Sequence, residues 1–120
     1  MADIQVIDTA IGAHGMWKAR LKSAIATGKS EVPVATIKLD NQCAFGQWLY
    51  GQTLSAADKA TPSYKTVKEL HAEFHKVAAK VADLALSGKK DEADKILSTE
   101  FSTASIKLTA AMMEWKKISK

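Results

Sequence analysis

One cysteine, one arginine, two prolines and three histidines are all the chain carries of these residues in 120 positions. A lone cysteine excludes an internal disulfide and points to a reducing compartment, where its thiol is available to a metal or an oxidant. The single arginine, Arg20, leaves almost none of the planar guanidinium chemistry that reads phosphates and guanines bidentately. Lysines account for the rest of the net charge of +4, scattered except for the doublets Lys89–Lys90 and Lys116–Lys117. This is the pattern of a solvated surface, and no nucleic-acid partner is expected. No apolar run approaches the roughly 18–20 residues of a membrane span, and MADIQVIDTA lacks the basic start and apolar stretch of a secretory signal. A cytoplasmic location without membrane contact is expected. The absence of CxxCH excludes a c-type haem, and the absence of any Glu-x-x-His removes a di-iron bundle site.

What is present is an ordinary globular composition, 47% apolar and 25% charged, enough for one domain over residues 1–120 with its own core. Ile4, Ile7, Ile11, His14, Lys18, Leu21 and Ile25 step by threes and fours. So do Val67, Leu70, Phe74, Val77, Val81 and Leu84, and again Leu97, Phe101, Ala104, Leu108, Ala111, Trp115 and Ile118. Each series is an apolar seam on a helix. Gly28 ends the first helix, Pro62 starts the third, and Ser87-Gly88 separates it from the fourth. Between them, SEVPVATIKLDNQ reads as an extended connection and LSAADKATP as a further helical turn and loop. CAFGQWLYG reads as a short helix capped by Asp40 or Asn41 and ended by Gly51. The predicted fold is all-α: an antiparallel four-helix bundle with a short second helix.

Two of the three histidines stand four apart in HAEFH, residues 71–75, and so share one helical face, flanking the seam. His14 occupies a seam position itself, where an unsatisfied polar ring costs about 1–3 kcal/mol. Alone, each has a plainer reading: a hydrogen-bonded core histidine, a chance HxxxH, a small buried thiol. Together His14, Cys43, His71 and His75 form one tetrahedral set of three nitrogens and one thiolate, with no histidine or cysteine left over, which suits zinc. Cys43 opens a short helix, where backbone N–H groups favour the thiolate. Gly46, and likewise Gly12 and Gly15 beside His14, read as sites of close helix approach, with ordinary packing as the alternative. A zinc hydrolase fits poorly. Glu73 lies two positions after His71, about 200° around the helix, and four protein ligands leave no open position for water. No enzyme is expected.

The residues His14-Gly-Met-Trp17, Cys43-Ala-Phe45-Gly46-Gln-Trp48 and His71-Ala-Glu-Phe-His75 resemble the HxxW, CxFGxW and HxxxH pattern of the chemoreceptor zinc-binding (CZB) family. The gaps are 25 residues from Trp17 to Cys43 and 22 from Trp48 to His71. The resemblance implies a four-helix bundle holding one Zn2+ per chain through His14, Cys43, His71 and His75. Trp17, Phe45, Gly46 and Trp48 would form the surround that shields and orients these ligands. It further implies a bacterial cytoplasmic sensory module that homodimerises, signals to a chemoreceptor or a cyclic di-GMP enzyme, and senses zinc or hypochlorous acid at the Cys43 thiolate. The sequence holds neither a receptor coiled coil nor a nucleotide cyclase, so a stand-alone member and an excised domain both fit. The competing expectation is a structural zinc bundle that serves only as a docking or dimerisation module.

Overall fold

The computed structural model describes residues 4–29, 33–39, 43–52 and 54–118. Among them every regular element is helical: α1 (Ile4–Gly15), α2 (Trp17–Thr27), α3 (Val34–Ile37), α4 (Ala44–Tyr50), α5 (Ala56–Lys59), α6 (Pro62–Leu86), α7 (Lys90–Ile96) and α8 (Ser102–Ile118). A π turn, Leu97–Phe101, joins the last two. The all-α expectation therefore holds.

The first seam does not build one uninterrupted helix. At Met16 the amide divides its bond between the carbonyls of Gly12 and Ala13, both at 3.3 Å, before α2 resumes. The inward stripe crosses the break as His14, Trp17 and Leu21, so Lys18 is exposed while Trp17 turns partly inward. Gly28 closes α2 as expected, with φ +71° and its N–H on the Ala24 carbonyl. The glycines around the break do not have the close-approach role expected of them. A β-carbon added at Gly12 or Gly15 would meet nothing within 4 Å, so neither serves a close helix approach. Gly12→Ala should accordingly raise stability by roughly 0.5–1 kcal/mol, the helix-propensity difference. A thermal melt reads this directly, and a loss of stability would show that the glycine is needed.

The middle of the chain is more helical than its alternation suggests. Pro33 caps a single turn, its carbonyl accepting from Thr36 and Ile37, so Val34–Ile37 is helix rather than extended chain. The side chain that caps α4 is Cys43, whose sulfur accepts from Gly46 N. Asp40 and Asn41, expected there, lie outside the described residues. α5 and α6 begin as written in the sequence. Ser55 and Thr61 accept from the Asp58 and Tyr64 amides, and Pro62 takes the first helical position.

α6 is the central element, touching α2, α3, α5, α7, α8 and the π turn. Its 25 residues, about 38 Å at 1.5 Å per residue, set the long dimension of a body 45 × 23 × 19 Å across. Beyond the π turn the buried set is Ala104, Leu108, Met112 and Trp115, with Met112 in place of the predicted Ala111, and Ile118 is exposed. Two features pin α4 over this core. The Tyr64 hydroxyl donates to the Leu49 carbonyl at 2.8 Å, and Trp48 meets Trp115 at 5.4 Å.

Candidate metal centre

His14 sits in the last turn of α1, Cys43 caps α4, and His71 and His75 share a face of α6. One histidine Nε2 or cysteine Sγ from each of the four lies within 4.8 Å of all the others. His71 Nε2 is 3.0 Å from His14 Nε2 and 3.1 Å from His75 Nε2. The sulfur is 3.3 Å from His71 Nε2, 3.6 Å from His75 Nε2 and 4.0 Å from His14 Nε2. A tetrahedral zinc with its usual bond lengths has edges of about 3.3–3.6 Å between such donors. All four sequence-predicted donors therefore converge on one ion-sized volume.

His14 is buried as its seam position implies, at 5% exposed, whereas His71 and His75, at 0% and 2%, lie deeper than their flanking positions imply. Two of the rings are oriented from behind. His14 Nδ1 donates to the Ala10 carbonyl at 2.7 Å, and His75 Nδ1 donates to the Ile37 carbonyl at 2.9 Å. With the proton held on Nδ1, each Nε2 presents a lone pair to the cluster, the arrangement that metal-ligating imidazoles need. The Ile37 carbonyl is available because the one-turn helix α3 leaves its last carbonyls unbonded within the helix. His71 Nδ1 is buried and has no hydrogen-bond partner among the described residues.

Protons are poor occupants of this volume. Burial depresses His14 to about 4, against a smaller raising effect of the Ala10 carbonyl. Burial likewise pushes His71 to about 2, helped by the neighbouring His75 and His14. Neutral imidazoles and a sulfur that accepts a backbone N–H at 3.3 Å suit a borderline-soft cation. A set without carboxylates disfavours magnesium and calcium. The residues fit zinc.

The aromatic surround follows in layers. Phe45 stands edge-on to His71 at 5.2 Å and His14 at 5.8 Å, and Trp17 meets His75 at 6.4 Å. Trp48 stacks on Phe45 at 5.6 Å, one layer further out. Gly46 is buried and supplies the N–H on sulfur. Arg20, the lone arginine, covers Trp17 from outside at 5.2 Å. Sequence reading missed three participants. The Ala10 and Ile37 carbonyls carry no side-chain signal. Phe74 reads as seam only, yet its ring meets His14 at 5.2 Å and His75 at 5.7 Å.

No curated protein and no solved structure matches the chain in comparisons with either. A family model described as chemoreceptor zinc-binding domain matches residues 14–82, more than half of the chain. That span starts on the first cluster histidine and contains the other three donors, on the elements that bring them together. The chain belongs to the chemoreceptor zinc-binding domain family.

Proposed function

We propose that this chain is one domain that binds a single zinc ion through His14, Cys43, His71 and His75 and acts as a cytoplasmic sensory module of a bacterial signalling protein. The observation that carries the reading is the convergence of four donor atoms within 4.8 Å, two of them on imidazoles already oriented by backbone carbonyls. We read α1–α2, α4, α6 and α7–α8 as the four members of an antiparallel bundle. The three-residue connection between α6 and α7, with contact between those helices, supports this.

Zinc, once bound, keeps the sulfur as thiolate. Cys43 is the half-buried member of an otherwise buried set, so an oxidant meets it before the imidazoles. Its thiolate attacks the chlorine of hypochlorous acid and expels hydroxide. Water then displaces chloride, and the sulfur ends as sulfenic acid, oxidised by two electrons. Sulfenic acid is the weaker donor. α4, capped by that sulfur, would lose its Gly46 contact and shift. On the outer face of α8, Ile106 and Met113 are 70% and 55% exposed and share one side of the helix, which supports helical docking of a second copy or a signalling partner.

Elemental mass spectrometry of the purified chain is expected to find one zinc per chain. Hypochlorous acid is expected to release it from the wild type and to act differently on Cys43→Ser. A chain without zinc after purification in zinc-replete buffer would overturn the binding reading. Identical zinc retention and helicity in the two proteins under oxidant would instead leave a structural zinc bundle used for docking.

A further inference from the structure

Phe101 lies beyond the residues that the family model covers, yet it is two rings away from the metal site. It closes the π turn, is 1% exposed, and meets Phe74 at 5.1 Å. Phe74, also fully buried, stands edge-to-face with His14 at 72° and His75 at 77°. Aromatic contacts of this kind and the density of the interior transmit small displacements.

The π turn is what aims Phe101. One residue more than an α-helical turn displaces the side chains that complete and follow it, Phe101 first among them, by up to about 100° from where an uninterrupted α7 would put them. Hydroxyls sustain the widened backbone: Ser98 donates to Asp94, Thr99 to Lys95, and Ser102 to the Leu97 carbonyl five residues back. A groove of about 430 Å³ opens alongside, lined by Thr99, Glu100 and Thr103 against Leu70 and Val77. The outer side of the turn therefore has room to shift that the Phe101 side lacks.

We propose that Phe101 is a positioning residue of the metal site: the π turn sets its ring against Phe74, and Phe74 fixes the imidazoles of His14 and His75. This rests on the reading of the four donors as a zinc site. Coupling of this sort is reciprocal. If the turn orders the ligands, zinc orders the turn.

The test uses the full chain as wild type, Phe101→Leu, and Met112→Ala, a fully buried α8 residue chosen as a packing control. Zinc content, the rate of zinc transfer to a chromophoric chelator, and the ligand-field absorption of the cobalt-substituted protein are measured for each. Phe101→Leu is expected to retain zinc but release it about tenfold faster, the scale of losing an outer-shell support, with a shifted cobalt spectrum. Met112→Ala should keep the wild-type rate and spectrum despite its cavity. In wild type, removing zinc should accelerate amide hydrogen exchange at residues 97–102 by about tenfold more than at 108–115, a difference of about 1.4 kcal/mol in opening free energy. Equal release from the two variants, or uniform exchange across both segments, would overturn the proposal. Should Phe101→Leu not fold, the wild-type exchange comparison decides alone. Absence of zinc from every sample would instead remove the zinc reading itself, and this proposal with it.

Discussion

His71→Leu is expected to abolish zinc retention and yet leave the metal-free protein at least as stable as metal-free wild type. Loss of one of four ligands should lower zinc affinity by about 100-fold or more, beyond the range seen when only an outer partner is lost. Stability should move the other way. His71 is fully buried, its Nδ1 has no partner among the described residues, and burial holds its pKa at about 2. A buried polar group left unsatisfied costs about 1–3 kcal/mol, and leucine fills a similar volume without that cost. His75→Leu is the contrast, because it strips the Ile37 carbonyl of the 2.9 Å bond from Nδ1. It should destabilise the metal-free chain by roughly 1–3 kcal/mol. Urea unfolding with chelator present measures both, and the zinc-loaded wild type should exceed all of them, by about 4 kcal/mol when free zinc is a thousandfold above its Kd. A metal-free His71→Leu clearly weaker than metal-free wild type would mean that the His71 Nε2 contacts with His14, His75 and Cys43 outweigh the cost of its unpartnered Nδ1.

Mild acid is expected to act on the same cluster. His14 titrates at about 4 in the folded chain against 6.5 for the free side chain. The unfolded state therefore binds the proton first as pH falls. The stabilisation is complete above about pH 6.5 and drains away towards pH 4, with His71 adding to the slope in the same direction. At about 1.4 kcal/mol per unit, His14 alone accounts for ~3 kcal/mol by the bottom of that window. Zinc occupancy should fall with it, since protons compete for the same Nε2 lone pairs. Denaturation midpoints of the metal-free chain at about pH 7.5, 6 and 5, with zinc content measured in parallel, check this. A flat stability profile across those points would show that the imidazoles are more accessible to water than their burial implies.

The legible parts of the molecule are those encoded locally. Gly28, Pro62 and Gly88 mark helix boundaries because only particular backbones suit them, and α2 ends, α6 begins and α6 ends close to where those residues stand. The donor set is legible for a different reason. With so few histidines and one cysteine, a coordinating group has one composition available, and family spacing orders it. The Val34–Ile37 stretch escapes the reading because four residues carry too short a period to separate strand from one helical turn. In the last helix, Met112 fills the seam position predicted for Ala111 because three-then-four and four-then-three spacings satisfy the period equally. The π turn escapes the reading because its serines and threonines bond back to carbonyls as they also do in ordinary helices. Only the backbone records it.

Residue identities by themselves determined an all-helical chain, the chemistry of its four metal donors and the family to which it belongs. The tertiary structure alone decided that those donors meet, how deeply they lie, and that the Ala10 and Ile37 carbonyls orient two of them. It also decided that His71 lacks such an anchor and that Phe101 stands against Phe74, the ring that touches the site. The division has a physical cause. Propensity and donor chemistry are properties of single side chains and short spacings, whereas convergence, burial and carbonyl partnership arise only where separate helices pack.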